Sequence, residues 1–301
     1  MAFFKRFFRD EQRRLDAGVW EALPGEVVRL SDGATYYQQV GPARGRPVIL
    51  IHGFSVPQFI WDPTFDALAA AGLHVIRYDL FGRGYSDRPL QPYDKALFMR
   101  QLAELMDALK LPRADLVALS MGGPLAAEFA FRFPKRVAKL ALIDPAGFEL
   151  GLPPAVQALR LPLVGELALG VLGRFGRRSL IESMLTDFYQ PSQVMLDYFV
   201  PRYQEQMQYR GFKRAILSTF RRGLLDEDLQ VYQRLGQGGK PVLLVWGEHD
   251  QTVPFHHHQT FQQLVPQAEF HAIPAAGHLP HFERPELVNP LLVEFLARTP
   301  A

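Results

Sequence analysis

Along the first 145 residues, short apolar runs alternate with segments whose apolar residues recur every three to four positions. Residues 26–30 and 34–40 read as two strands joined by the turn Ser31-Asp32-Gly33, a hairpin signal. Residues 47–52, Pro-Val-Ile-Leu-Ile-His, form a continuous apolar run, as expected of a strand covered on both faces. A helical stretch at 65–71 and a strand at 73–78 follow, and the spacing of Leu97, Met99, Leu102, Leu105, Met106 and Leu109 predicts a helix over 93–109. Runs at 116–119 and 137–143 continue the alternation, and 241–246 and 268–273 add two strands near the end, each followed by a helical stretch. Buried strands alternating with helices predict an α/β fold with a mainly parallel central sheet flanked by helices.

Between residues 147 and 233 the pattern changes to helical segments studded with glycine and proline and rich in Leu, Met, Phe and Tyr. This predicts a helical cap inserted into a single core made of residues 26–146 and 234–301, with residues 1–25 as an amino-terminal arm. Read as a helix, the arm places Phe3, Phe4, Phe7 and Phe8 on one face and basic residues on the other. Two readings stay open for it: an arm packed on the domain, or a weak membrane-surface contact. The amino terminus has no secretory apolar core, and no stretch of about 20 apolar residues is present to span a bilayer. A cytoplasmic location is therefore expected.

Composition narrows the chemistry. With 48% hydrophobic and 21% charged residues, the 301-residue chain is of the globular class, and a net charge of +2 gives no reason to expect nucleic acid as partner. The absence of cysteine excludes disulfides, thiolate catalysis and zinc–thiolate sites. Asn289 is the only asparagine, a bias that heat adaptation and a GC-rich genome would both produce.

Within Leu116-Val-Ala-Leu-Ser-Met-Gly-Gly-Pro, a strand runs into a sharp turn and then a helix, with the Ser120 hydroxyl at the apex. Such an elbow holds its serine in a strained backbone conformation and demands small residues two before and two after it, here Ala118 and Gly122. A serine hydroxyl is a poor nucleophile until an imidazole takes its proton, and the imidazole needs a carboxylate to fix its tautomer. Asp250 follows the strand at 241–246 and His278 follows the last strand, both at strand ends where open α/β sheets place their sites. Phe54, after His52-Gly53, and Met121 are positioned to supply backbone N–H groups to an oxyanion.

Five stretches then carry a family resemblance: Leu50-Ile-His-Gly-Phe54, Tyr78-Asp-Leu-Phe-Gly-Arg-Gly-Tyr-Ser-Asp-Arg-Pro89, Leu119-Ser-Met-Gly-Gly123, Trp246-Gly-Glu-His-Asp250 and Ala276-Gly-His-Leu-Pro-His-Phe-Glu-Arg-Pro285. In this order the chain resembles the capped α/β-hydrolase superfamily over nearly its whole length after residue 25. The resemblance implies a cofactor-independent enzyme with nucleophile Ser120, acid Asp250 and base His278, and no metal.

Rival readings bear on several of these residues. Asp144 is the alternative acid, since some members carry theirs after the earlier strand, but it also reads as a helix cap or loop ligand. His281 is the alternative base, and His249 neighbours the acid. His256-His-His258 invites a metal reading, yet adjacent histidines on a helix point in different directions, which favours surface or supporting roles. His52, Asp79 and Arg83 are expected to support the loops at the site rather than to react.

The Ser120 nucleophile argues against the aspartate-dependent dehalogenase and epoxide-hydrolase branches. Meta-cleavage C–C hydrolases share Ser-Met-Gly-Gly, but many carry an asparagine before the serine, Gly-Pro-Gly after the oxyanion turn and a tryptophan after the base. Here those places hold Leu119, Phe54-Ser-Val and Leu279. The expectation is therefore a carboxylesterase or lipase-like enzyme for small-molecule esters of short to medium acyl chain, including monoacylglycerols. Trp61, Phe148, Leu185, Phe188, Phe199 and Leu279 are the candidates to line an apolar acyl pocket. A C–C hydrolase and a non-catalytic ligand-binding scaffold are the alternatives.

Overall fold

Alternating strands and helices assemble into one eight-stranded sheet in the order β1-β2-β4-β3-β5-β6-β7-β8. The structure, a computed structural model, describes residues 11–171 and 181–298. β1 (Glu26–Leu30) and β2 (Gly33–Val40) form the hairpin, and β2 pairs antiparallel with β4 (His74–Tyr78). From there every pairing is parallel, through β3 (Pro47–Ile51), β5 (Ala114–Leu119), β6 (Val137–Ile143), β7 (Val242–Gly247) and β8 (Ala268–Ile273).

The central strands are apolar on consecutive residues because both faces are covered. Val48, Leu50, Val117, Leu119, Ala141, Ile143, Leu243 and Val245 belong to one buried cluster, while Ile49, Ile51, Leu116, Ala118, Leu140, Leu142 and Leu244 belong to the other. This is the two-residue period of a strand expressed as two cores. Helices Asp62–Ala70 and Pro285–Ala297 contribute Phe65, Leu68, Val288 and Leu292 to the first cluster, whereas Lys95–Ala108 and Gly122–Arg132 contribute Leu102, Leu105, Ala126 and Phe129 to the second. Parallel strands share a direction, so the loops after β3, β5, β6, β7 and β8 open on one edge, and Ser120, Asp250 and His278 lie on those loops.

Between β6 and β7 the chain runs through helices that include Val164–Val171, Gln193–Gln206, Phe212–Arg221 and Leu229–Gln237. The boundary expected at residue 233 falls inside Leu229–Gln237, whose buried Val231, Tyr232 and Leu235 join the cluster beneath Gly122–Arg132. Its Arg234 also donates to Glu128 of that helix at 2.7 Å.

The first ten residues, with the four phenylalanines of the arm, lie outside the described residues. The rest of the arm packs on the domain. Asp16 caps the short helix Ala17–Glu21 and Trp20 Nε1 donates to the Tyr85 carbonyl at 2.9 Å. Glu11 accepts from the amides of Gly211 and Lys213. Among the described residues, no helix is long and apolar enough to cross a membrane.

Candidate active site

Ser120 sits at φ +53°, in the left-handed region, one residue beyond β5. A non-glycine residue there is strained by roughly 1–3 kcal/mol, and surrounding bonds must over-determine it. They do. Its N–H donates to Ile143 O at 3.0 Å, and its carbonyl accepts from Gly123 N at 2.8 Å and Ala146 N at 3.0 Å. The helix leaves the turn so close to β3 that a Cβ on Gly122 would stand 2.7 Å from Ile51 O and 3.0 Å from His52 O. Two positions upstream, Ala118 is fully buried, in register between Ile51 and Leu142 of the neighbouring strands.

His278 is 3% exposed, and its Nδ1 lies 2.7 Å from Asp250 Oδ2. The other carboxylate oxygen of Asp250 accepts from the amides of Thr252 at 2.8 Å and Val253 at 2.9 Å, which locks the acid in place. A carboxylate on Nδ1 puts the proton there and leaves Nε2 as the basic nitrogen. Burial works to lower the His278 pKa, but the charge and hydrogen bond of Asp250, with help from Asp187 and Glu283, hold it above the ordinary histidine value.

The oxyanion turn follows β3. A Cβ on Gly53 would lie 3.2 Å from the Ser120 Cβ and 3.7 Å from its Oγ, so glycine lets the turn close on Ser120. His52 fixes that turn. The Leu80 amide donates to its Nε2 at 2.9 Å, so Nδ1 carries the proton and donates to Gly53 O at 2.9 Å. Burial pushes the His52 pKa down to about 3, and the ring stays neutral. Arg83, fully buried, donates from Nε to Phe54 O at 2.8 Å and from Nη1 to Phe81 O at 3.2 Å. Asp79 holds the adjoining loops by accepting from Gln58 N and Tyr85 N, both at 2.8 Å. Met121 is the N-cap of the helix Gly122–Arg132, where amides lie ahead of the intrahelical ladder and the helix dipole favours negative charge.

The rival residues are placed elsewhere or engaged otherwise. His281 is buried against the Trp61 ring at 4.4 Å between centroids, and burial, with the charge of His278, pushes its pKa down to about 3. His249 is exposed and stacks on Tyr189 at 3.8 Å. In the histidine triplet His257 points to Glu149 O and stacks on Phe148, the exposed His256 lies with its ring 4.2 Å from that of His257, and His258 stacks away on Phe270. Asp144 is neither a helix cap nor remote, for it stands beside Asp250 and His278.

Of the expected pocket residues, Phe188, Phe199, Leu279 and Trp61 share one buried cluster, with Leu185 and Phe54 packed against it. Phe188 meets Phe199 edge-on at 5.0 Å. Phe148 is not gathered with them. It lies in the opposite cluster, stacked on Tyr232 at 5.5 Å, because the chain turns through Gly147 at φ +101°.

Three supporting residues escaped the sequence reading. Asp187 O accepts from the His278 amide at 2.7 Å, and its carboxylate accepts from the Thr252 hydroxyl. Glu283 accepts from Gly277 N at 2.8 Å and Tyr189 N at 2.7 Å, joining the base loop to the helical segment. Gln206 spans the oxyanion side, donating to Ser55 O at 2.7 Å and accepting from Gly84 N at 3.0 Å. Glu283 lay inside a quoted motif and was legible by position; nothing local marked Asp187 or Gln206.

Comparison with known proteins places this arrangement. Residues 46–285 match the α/β hydrolase fold family. The chain is similar to a 2-hydroxy-6-oxononadienedioate/2-hydroxy-6-oxononatrienedioate hydrolase of Paraburkholderia phymatum, 30% identical over 92% of this chain and 97% of that one. Among solved structures it is similar to a meta-cleavage product hydrolase from Pseudomonas fluorescens IP01, with a TM-score of 0.73 and 28% identity over 90% of this chain and 97% of that one. It is also similar to a bacterial membrane phospholipase A, with a TM-score of 0.74 and 25% identity over 92% of this chain and 87% of that one.

Proposed function

Because the chain belongs to the α/β-hydrolase fold family, we propose that it is a hydrolase in which Ser120 attacks a carbonyl carbon and a carbon–carbon bond is cleaved, a reading supported by its likeness to hydrolases named for 2-hydroxy-6-oxo-dienoates and meta-cleavage products. The observation that carries the serine chemistry is the 2.7 Å bond from Asp250 to His278 together with the strained Ser120. Nε2 of His278 takes the Ser120 proton as Oγ adds to the carbonyl, and the Phe54 and Met121 amides receive the oxyanion. Collapse expels the leaving group, which takes its proton from His278. Water, activated by the same imidazole, then releases the acid. A carbon leaving group departs only if its electron pair is delocalised. A 2-hydroxy-6-oxo-dienoate meets this once its 2-hydroxyl proton has moved to C5, because the departing C5 carbanion is then conjugated through C3=C4 to the C2 ketone. The chain's own task is then acyl transfer and proton delivery.

The relatives support carbon–carbon cleavage better than carboxylic-ester hydrolysis, which the residues beside Ser120 and His278 favour. The ester reading stands second, supported by apolar Leu119 and Leu279 beside the nucleophile and base and by the likeness to a phospholipase. The test is a panel of kcat/KM values for p-nitrophenyl esters of increasing chain length beside 2-hydroxy-6-oxo-6-phenylhexa-2,4-dienoate, the substrate named for another relative. C–C hydrolysis predicts preference for the dienoate by about tenfold or more, roughly 1.4 kcal/mol of transition-state binding. Preference for an ester reverses the order of the two readings.

A further inference from the structure

Asp144 is a buried carboxyl that the serine mechanism leaves unused. It follows β6 directly, is fully buried, and has φ +42°. Its N–H donates to Val245 O at 3.0 Å, and its Oδ1 accepts from Gly247 N at 2.9 Å. Its Oδ2 is buried without a donor. Ligating atoms of Asp144, Asp250 and His278 all lie within 4.8 Å of one another.

The neighbouring groups decide what Oδ2 can be. On the β7 side stands Asp250; on the loops after β8 stand His278 and Glu283; from the helical segment Asp187 faces His278 and Asp250. No lysine or arginine is among the groups acting on Asp144. A second full carboxylate beside Asp250, closed from water and lacking a donor, would be an uncompensated buried charge. A proton on Oδ2 removes the charge and turns an orphan acceptor into a donor. A cation would not replace it, because His278 Nδ1 is committed to Asp250.

We propose that Asp144 is held protonated with its Oδ2–H donating to the Asp250 carboxylate, a positioning residue for the catalytic acid and a standby acid when Asp250 is neutralised. The proposal rests on the Ser120–His278–Asp250 reading. Burial first, and the charge of Asp250 next, raise the Asp144 pKa well above the carboxylate range, in agreement with the geometry. No bond to carbon changes. The proton stays between the two carboxyls while His278 cycles. In an Asp250→Ala protein the competing carboxylate is gone, and Asp144, whose ligating oxygen lies within 4.8 Å of the imidazole nitrogen, ionises and supplies the negative charge.

The experiment compares Asp144→Asn, Asp250→Ala, the double variant and Ser120→Ala by kcat/KM against pH, with thermal unfolding to confirm folding. Asparagine keeps a donor at 144 and carries no charge, so Asp144→Asn should keep kcat/KM within about 3-fold of the parent and leave the acid limb within about 0.3 pH unit. If Asp144 were ionised, removing its charge beside the imidazolium would move that limb down by about one unit. Asp250→Ala should retain activity that the added Asp144→Asn lowers by at least about tenfold. A displaced limb in Asp144→Asn, or a double variant equal to Asp250→Ala, overturns the proposal. Loss of turnover in Ser120→Ala alongside either result would leave the serine mechanism standing and remove only this inference.

Discussion

The sheet edge and the helical segment before β7 build the same site by different means. At the sheet edge, backbone geometry imposes the chemistry: Ser120 is strained, a Gly122 side chain would collide with β3, and Asp250 takes two amides of its own loop. The helical segment reaches that edge through single polar bridges, Gln206 to Ser55 and Gly84, Asp187 to the His278 amide, and Tyr189 to Glu283. It also leaves Leu161 57%, Leu163 62% and Leu167 47% exposed. Reaction type therefore resides where alternatives are sterically forbidden. Under the proposed function substrate choice falls to the helical segment, and family membership fixes reaction type far better than substrate.

Removing groups from the two regions should separate these roles, and the sheet edge should answer most strongly. Ser120→Ala is expected to reduce turnover by about 10⁴-fold or more with the fold intact. Full activity in steady-state assays would break the comparison at its strongest point. Gly122→Ala should come next, since its methyl group meets backbone oxygens at 2.7 and 3.0 Å. A destabilisation of about 1–3 kcal/mol and a parallel fall in kcat are expected in denaturant titrations and initial rates. Glu283→Ala leaves two buried amides without an acceptor and should destabilise by about 1–3 kcal/mol, whereas Glu283→Gln, which can still accept, should lose less.

The pH dependence sharpens the same contrast. His278 must be neutral to accept the Ser120 proton, and its pKa is held above 6.5. Activity should therefore fall as pH drops through a value above 6.5, with the slope of one proton in log kcat/KM. Glu283, pushed up by burial to about 7, binds its proton more tightly folded than unfolded. Its contribution to stability should therefore be complete below about 4.5 and decline as pH rises through about 7, an effect that Glu283→Gln removes from melting curves. The smallest change belongs to the helical segment. Gln206→Ala should alter the preference among substrates by a few-fold at most while the acid limb stays in place.

The legibility of the chain follows the same division. Strand runs, the hairpin turn and the Ser120 elbow each obey local rules, and the structure places their elements within a few residues of the periodicity. Asp250 and His278 were readable because strand ends and chain order constrain them. Asp144 reads in the sequence as a helix cap or loop ligand; it does accept from the Gly247 amide, but its approach to Asp250, 106 positions away, is encoded by no local pattern. Phe148 was taken for a pocket residue on composition alone, and only the turn at Gly147 and the Tyr232 ring reveal its closed stack. The choice of bond was less legible: Leu119, Phe54-Ser-Val and Leu279 favour an ester, whereas the relatives support carbon–carbon cleavage.

The central claim is that Ser120 is a nucleophile activated by His278. Treating the protein and its Ser120→Ala variant with a serine-reactive fluorophosphonate, followed by intact mass and peptide mapping, tests it most directly. One stoichiometric adduct on Ser120, absent from the variant and slowed in His278→Gln, is the predicted result. A parent protein left unmodified, or modified at another residue, would contradict it.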